Sequence, residues 1–421
     1  MNKHFQVYLV GGAVRDYLLS LEIKERDWVV VGASADELLD QGYHQVGKDF
    51  PVFLHPETRE EYALARTERK SGHGYTGFEV HADPSVTLED DLLRRDLTIN
   101  AMAFNDRQEL IDPYGGQQDL EKKLLRHVSP AFVEDPLRIL RVARFAARFH
   151  HLGFTVAPET MTLMRQIVDE GEADHLVPER VWTETHKALN EKTPASYFEV
   201  LRECGALNRI MPEIDKLFGV PQRKDFHPEV DTGIHTMMVL QQAARHSDDA
   251  IVRFSALLHD LGKAETPQEE WPRHHGHEAR GVKPIRALCR RLHVPNQYRD
   301  MALVVAQKHG IALRAFELKP VTVLELFESM DAFRRKERVE QFLLSCLADY
   351  RGRPGYEDRD YPQADYLRLC FEAASQVNTR QFVEEGLTGK EIGIAIRRAR
   401  AQAIAMVKRD NGAANPLISD V

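Results

Sequence analysis

Gly11-Gly12-Ala13-Val14-Arg15-Asp16 lies near the N-terminus, and Glu25-Arg26-Asp27 leads directly into Trp28-Val29-Val30-Val31. A glycine turn that opens a helix offers backbone N–H groups to an anion, typically phosphate. Side chains two apart on a strand share a face, so Glu25 and Asp27 on a strand would grip one cluster of hard cations. Mg²⁺ takes one or two carboxylates together with waters and substrate phosphates, and two such ions align an attacking hydroxyl with a nucleoside triphosphate. A third acid comes from Glu60-Glu61-Tyr62-Ala63-Leu64-Ala65-Arg66, where Glu61, Ala63 and Ala65 fall on one face of a strand and Glu60 turns to solvent. The chemistry expected of Glu25, Asp27 and Glu61 is nucleotidyl transfer.

Two arginine-rich strings form a second layer. In Arg94-Arg95-Asp96-Leu97-Thr98-Ile99-Asn100, the planar fork of Arg95 suits triphosphate oxygens, and Asp96 is placed to orient an arginine or a sugar. Glu134-Asp135-Pro136-Leu137-Arg138 starts like a helix with acids before an N1 proline. Asp135 accepts and Arg138 donates hydrogen bonds, the two complements needed to read a base edge. Arg138, Arg141 and Arg144 recur every three residues on a shared face.

A separate constellation occupies the second half of the chain. His235, His259-Asp260 and Asp349 run in the order H…HD…D, and imidazole with carboxylate suits a divalent transition metal. The spacing predicts His259-Asp260 on a helix, Phe254–Leu261, presenting adjacent ligands to a bundle core. His274, His275, His277 and His309 lie between these anchors to complete the shell or bind phosphate, and Lys263 is a further phosphate candidate.

These residues need scaffolds of two kinds. The 421 residues exceed one ordinary core, so roughly two to four domains are expected. Residues 5–125 mix strands (Phe5–Val10, Trp28–Val31) with helices (Val14–Ser20), and Ser71–Gly77 reads as a mobile glycine-rich loop. From about 120 onward helical periodicity dominates, as in Pro136–Phe149 and Ile251–Leu261, without a convincing strand. Gly219-Val220-Pro221-Gln222 marks a boundary. The expectation is an α+β protein: an α/β head (1–125), a helical neck (126–225), a metal-binding helical domain (226–350) and a helical tail (351–421).

Composition narrows the setting. With 43% hydrophobic residues and no apolar run of membrane length, a soluble protein is expected. Met1–Gln6 lacks the apolar core of a signal peptide. Cys204, Cys289, Cys346 and Cys370 are scattered, which suggests neither a zinc knuckle nor a disulfide framework, so the cytoplasm is the natural home. A net charge of −9 argues against indiscriminate nucleic-acid binding. Local basic stripes, Arg138/Arg141/Arg144/Arg148 and Arg397/Arg398/Arg400/Lys408/Arg409, still permit a specific RNA partner.

YLVGGAVRD, the acidic pair before WVVVG, GKDFPVF, EYALARTERK, RRDLTINAMAF, DPYGGQQDL and EDPLRILRVARFAARF together resemble the class II tRNA nucleotidyltransferases, the CCA-adding enzymes of bacteria. The resemblance covers the first 150 residues. It implies addition of C, C and A to tRNA 3′ ends from CTP and ATP without a nucleic-acid template. It also implies Mg²⁺ at Glu25 and Asp27, triphosphate contacts from Gly12 and Arg15, and a nucleotide contact from Arg95. Asp135 and Arg138 would pair with the base, and Arg141 and Arg144 would complete the pocket. This sequence departs from the family at Glu25, normally Asp, and at Ser20, usually Gly. The H…HD…D segment resembles HD-domain metal phosphohydrolases, which implies phosphatase, 2′-nucleotidase and 2′,3′-cyclic phosphodiesterase activities, with nickel for the phosphatase. Poly(A) polymerases share the head motifs, and an A-adding enzyme or a tRNA-binding protein with a weakened head are the other readings. The chain departs from poly(A) polymerases in ending soon after Arg409 and in carrying the HD pattern. Whether it is a monomer or a homo-oligomer is left open by the sequence.

Overall fold

A computed structural model describes residues 5–46, 52–70 and 78–411. The Ser71–Gly77 stretch and most of GKDFPVF therefore lie outside the described residues. The chain forms two compact units, Met1–Ile210 and Met211–Val421.

The first unit opens with β1 (Gln6–Val10), α1 (Gly12–Leu18), β2 (Asp27–Val31), α2 (Ala35–Asp40), β3 (His44–Val46), β4 (Val52–Leu54) and β5 (Glu61–Leu64). A hairpin of β6 (Thr67–Lys70) and β7 (Phe78–His81) follows, then α3 (Leu88–Leu93), β8 (Ala103–Phe104), β9 (Leu110–Ile111) and α4 (Gly116–Lys122). Seven strands build one sheet in the order β3-β4-β5-β2-β1-β8-β9. β2 pairs antiparallel with β1 and parallel with β5. The valine run of β2 is explained by burial on both faces. Val30 joins Phe5, Leu38, Phe53 and Leu64 on one side. Val29 joins Val10, Ala65, Leu92 and Ala101 on the other. Ser34 and Thr87 begin α2 and α3 with capping boxes, each side chain accepting an amide hydrogen while the third helical residue bonds back.

Helices α5 (Leu137–Phe149), α6 (Pro158–Asp169), α7 (Pro178–Leu189), α8 (Ala195–Glu203) and α9 (Ala206–Ile210) complete this unit. A two-residue parallel pair, β10 (Leu124–Leu125) with β11 (Thr155–Val156), corrects the expectation of no strand beyond residue 120. Such short pairs leave no periodic signature to read.

The second unit is helical among its described residues: α10 (Pro212–Asp215), α11 (Thr232–His246), α12 (Ala250–Leu258), α13 (His277–Arg280), α14 (Val282–Arg291) and α15 (Asn296–Ala312). α16 (Pro320–Ser329), α17 (Glu337–Arg351), α18 (Pro362–Ser375), α19 (Arg380–Glu384) and α20 (Lys390–Asn411) follow. Val239, Ala243, Val252, Ala256 and Ala348 pack α11, α12 and α17 together. A larger core around Phe327, Phe342 and Leu367 also takes Ile404 of α20. The Gly219–Gln222 stretch lies within this second unit. Gly219 N donates to Asp231 Oδ2 at 2.6 Å, and Pro221 bridges Asp231, which itself caps α11.

Candidate active sites

The head site grows from the sheet. β2 begins at Asp27, so Glu25 sits in the irregular, exposed segment ahead of it and not on the strand as its spacing suggested. Parallel pairing sets Asp27 directly beside Glu61. Glu61 shares its face with Ala63 and Ala65, because Tyr62 and Leu64 enter the opposite core. Glu60 lies on that opposite side, where its Oε2 accepts from Trp28 Nε1 at 3.1 Å and Oε1 lies 3.5 Å from Arg26. Asp27 is exposed by area, yet surrounding protein desolvates its carboxyl and raises its pKa. Arg95 opposes that shift and Glu25 adds to it. Glu25, Asp27 and Glu61 are not gathered to ligand distance as a set: among the described residues, the groups that are belong to the second unit.

The glycine turn stands over Arg95. Gly11 has φ 69°, a left-handed conformation that favours glycine, and a Cβ there would fall 2.7 Å from Arg95 Nη1, so the turn lies directly against that guanidinium. Arg95 is held by Asp91 Oδ2 at 3.2 Å and by the Asn100 carbonyl, and its Nε is buried without a hydrogen bond. That placement, beside the turn and in the field of Asp27, suits the phosphate clamp expected of it.

Arg15 is placed differently from the expectation of a triphosphate contact. Only 3% exposed, it donates to Asp16 and to Asn100 Oδ1 and lies over the rings of Phe145 and Phe149. It supports the turn from beneath. Asn100 Nδ2 in turn donates to Asp96 Oδ1, Arg141 Nε to Asp96 Oδ2, and Arg148 to Asp16 Oδ2. Arg148–Asp16–Arg15–Asn100–Asp96–Arg141 is thus one continuous polar network joining α1, the RRDLTIN segment and α5. Asp96 does orient an arginine, Arg141.

The remaining residues on the arginine face of α5 also have protein partners. Asp135 Oδ1 accepts from Leu137 N, which starts the helix. Arg138 donates to the carbonyls of Arg94 and Ala131. Arg144 Nε meets Glu184 Oε2 at 2.6 Å, and its guanidinium lies over Phe145. A step of three residues falls short of a full turn by about 60°, so the three arginines fan across the face to different partners. Asn100, Asp91 and Glu184 went unread in the sequence. Asp91 had a local signal, a carboxylate four before Arg95; Glu184 had none.

The second site gathers the four expected residues and more. α12 ends at Leu258, so His259 and Asp260 form the turn after it and are not within the helix. His235 of α11 is fully buried, with Nε2 3.1 Å from Asp349 Oδ1 of α17 and Nδ1 2.9 Å from Glu229 Oε1. His259 Nε2 lies 3.1 Å from Asp260 Oδ2 and 3.6 Å from Asp349 Oδ1. His277 Nε2 and His309 Nε2 approach Asp260 Oδ1 at 3.3 and 3.7 Å. Lys263 Nζ sits 2.6 Å from Asp260 Oδ2 and also donates to Gln222. Gly262 permits the approach of α13, since a Cβ there would overlap the His277 carbonyl.

Electrostatics in this pocket favour positive charge. Burial alone would lower the pKa of His259, but Asp260 and Asp349 overcome it and push the ring up to about 10. Burial likewise opposes charge on His277, and Asp260 again prevails. Both carboxylates are held well below the usual range in spite of burial, Asp260 chiefly by His259 and Lys263, and Asp349 by His235 and His259. A field that so favours positive charge suits a divalent ion, and His235, His259 and Asp349 offer three ligand atoms within 4.8 Å of one another. A cavity of about 610 Å³ adjoins, lined by Arg223, Lys263, Arg273 and Arg353 with His274, His277 and Glu278, a predominantly basic wall that suits an anionic ligand.

Known families account for most of the chain. Residues 7–126 match the poly A polymerase head domain, 153–218 the probable RNA and SrmB-binding site of polymerase A, and 232–349 the HD domain. Fold and sites together define an enzyme with a nucleotidyltransferase head followed by an HD domain. The multifunctional CCA protein of Thioalkalivibrio sulfidiphilus (strain HL-EbGR7) is 63% identical over 407 residues, covering 97% of this chain and 100% of that protein. The multifunctional CCA protein of Alkalilimnicola ehrlichii (strain ATCC BAA-1101 / DSM 17681 / MLHE-1) is 60% identical, covering 96% and 98%. The chain belongs to the multifunctional CCA proteins. The same fold occurs in the Thermotoga maritima CCA-adding enzyme complexed with tRNA, at TM-score 0.62 and 20% identity over 96% of this chain and 91% of that one. A CCA-adding enzyme in complex with CTP aligns at TM-score 0.63 and 21% identity, over 98% and 92%. No helix among the described residues is long and apolar enough to cross a membrane.

Proposed function

We propose that the head adds C, C and A to tRNA 3′ ends from CTP and ATP, in the cytoplasm, and that the HD domain hydrolyses phosphate esters. The observation that carries the first part is the Asp27–Glu61 register beside Arg95 and the Gly11 turn. Glu25 and Asp27 hold Mg²⁺, with Glu61 as the neighbouring carboxylate; the ion would neutralise triphosphate charge and activate the tRNA 3′ hydroxyl. Gly12 and Arg95 face the triphosphate, while Arg15 acts from below by fixing the turn. Asp135 and Arg138 select the base, on a helix whose angle is set by Arg141 and Arg144. The longer Glu25 departs from the family's Asp by one methylene, about 1.5 Å of reach.

The HD activities proposed are phosphatase, 2′-nucleotidase and 2′,3′-cyclic phosphodiesterase, with His235, His259, Asp260 and Asp349 holding a transition metal, Ni²⁺ for the phosphatase. Imidazole ligands favour such ions over Mg²⁺, and the adjoining, predominantly basic cavity suits a phosphate. The domain assignment is head 1–125, neck 126–225, HD domain 226–350 and tail 351–421. One experiment tests the head: tRNA lacking CCA is incubated with labelled CTP or ATP and Mg²⁺, and the 3′ ends are sequenced. Complete CCA is expected. Incorporation of A alone from a mixture of nucleotides would make it an A-adding enzyme, and long A tails a poly(A) polymerase.

A further inference from the structure

An aromatic ring stands among the arginines of the cavity beside the HD pocket: Phe226, 55% exposed. Single exposed apolar side chains are ordinary, so what distinguishes this one is its setting. The loop that carries it is pinned at its base, where Gln222 N donates to Val230 O at 2.6 Å. Within the loop, Phe226 N and His227 N both donate to Arg223 O, at 3.1 and 2.9 Å. His227 meets Glu229, whose carboxylate also meets His235 of α11. The backbone of the loop thus fixes where the ring stands. The Arg223 guanidinium lies over it, 4.6 Å from its centroid, and is itself held by Asp225. A ring with a stacked guanidinium makes the flat surface on which nucleobases stack.

Three other residues of the same cavity carry buried polar atoms without a hydrogen-bond partner: Gln222 Nε2, His274 Nδ1 and Arg353 Nε. Such atoms are costly to leave unmet, and their chemistry says what would meet them. Gln222 Oε1 accepts from Lys263 Nζ, so its amide nitrogen is a donor, as is Arg353 Nε. His274 Nε2 stands 2.9 Å from Pro221 O, which only accepts. That nitrogen therefore carries the hydrogen, and Nδ1 of the neutral ring is an acceptor. A phosphate dianion offers acceptors alone, so it satisfies only the two donors. A ribose hydroxyl or a base edge offers both. We propose that Phe226 is the base platform of this cavity, so that the HD domain selects nucleoside phosphates, free or at an RNA end, over phosphate esters that lack a base. Gln222 and His274 meet ribose or base, and Arg353 and Lys263 meet the phosphate. The inference rests on the reading of this pocket as a phosphohydrolase site and adds to it a residue that sets substrate choice.

Steady-state hydrolysis by the full chain tests this with three substrates: 2′-AMP, a short RNA bearing a terminal 2′-phosphate, and glycerol 2-phosphate, a secondary phosphate ester without a base. Phe226→Ala should raise KM for the preferred base-bearing substrate about ten-fold or more, with kcat largely unchanged. Both constants for glycerol 2-phosphate should stay as they are. Phe226→Trp should restore the KM, because an indole ring also stacks on a base. The base-bearing substrate with the higher parent kcat/KM identifies the source, free nucleotide or RNA end. An equal fall for all three substrates would make Phe226 a support of its loop, and no change for any would remove it from the site; either result overturns the proposal. Equilibrium dialysis with 2′-AMP and the RNA separates this from the underlying reading. Phe226-dependent binding by a parent that hydrolyses no ester would keep the platform and refute the phosphohydrolase assignment. Binding that Phe226→Ala leaves intact would remove the platform.

Discussion

Arg141 Nε donates to Asp96 Oδ2 at 2.6 Å, which ties the arginine helix α5 to the RRDLTIN segment that carries Arg95. Burial by itself would raise the pKa of Asp96, but Arg141, the Asn100 hydrogen bond and Arg138 outweigh it and hold the carboxyl well below its ordinary range. Because the folded value lies below the unfolded one of about 4, the stabilisation is fully present above that pH and is lost as pH falls below it. Asp96→Asn should cost about 1–3 kcal/mol at pH 7 and should flatten the acid limb of the stability curve. Urea melts at pH 7, 4 and 3 check this. Parallel pH profiles for variant and parent would show that the pair contributes nothing.

The Asp27 carboxylate is fixed on the sheet itself, in register with Glu61. Asp27→Ala should lower CTP and ATP incorporation by two orders of magnitude or more, about 3 kcal/mol of transition-state stabilisation. Affinity for tRNA, read by gel shift, should move only a few-fold, because a substrate held by phosphate contacts does not depend on this ligand. Full CCA synthesis by the variant would refute the assignment.

Ser20 ends α1 in a conformation that favours glycine. Its φ is 54°, its N–H bonds Tyr17 O at 3.0 Å, and the next amide, Leu21 N, bonds Asp16 O at 2.8 Å. This is the double hydrogen bond of a Schellman cap, whose left-handed position glycine fills without strain. Ser20→Gly should stabilise the protein by about 1 kcal/mol with unchanged CCA addition. A lowered melting temperature would mean that the serine hydroxyl contributes more than the backbone strain costs.

Local chemistry was legible in the sequence, and long-range partnership was not. The Gly11–Gly12 turn, the face shared by Glu61 and Ala65, and the start of α5 at Asp135-Pro136 all follow from period, capping and turn residues. The left-handed Ser20 was visible only as a departure from family glycine. By contrast, the partners of the arginines lie far away in the chain: Glu184 is 40 residues from Arg144, and Asp16 is 132 from Arg148. No spacing rule connects them, so the guanidiniums looked free for substrate when the fold had already paired them. Glu25 was assigned to a strand by alternation alone, and the strand starts two residues later. His259-Asp260 was misplaced by a similar margin, since helix ends are where periodicity runs out.

Base selection should depend on both Asp135 and Arg138 even though each has a protein partner. Arg138→Ala removes donors from the carbonyls of Arg94 and Ala131, and so displaces the segment that leads into Arg95. If the pair also reads the base edge, UTP and GTP misincorporation should rise relative to CTP and ATP, with a discrimination loss of about 1–3 kcal/mol. Competition assays with all four nucleotides measure it. A uniform fall for every nucleotide would reduce Arg138 to a support of the backbone.

His259→Ala and Asp260→Ala should eliminate metal-dependent phosphohydrolysis and spare CCA addition. The two sites draw on different halves of the chain: the head residues all precede Ile210, and the HD residues all follow Met211. Neither substitution touches the Asp27–Glu61 register or the network through Asn100. Each removes a ligand from a pocket whose carboxylates concentrate negative charge, so the ion that activates water would be lost. Phosphatase and 2′,3′-cyclic phosphodiesterase rates with Ni²⁺, Mn²⁺ and Mg²⁺ are measured beside CCA addition on one preparation, and hydrolysis should fall at least about 100-fold, roughly 2.7 kcal/mol. Hydrolysis that survives both substitutions would place the reaction elsewhere. A joint fall of both activities with an unchanged thermal melt would show that the halves are coupled, and a lowered melt would trace the loss to folding.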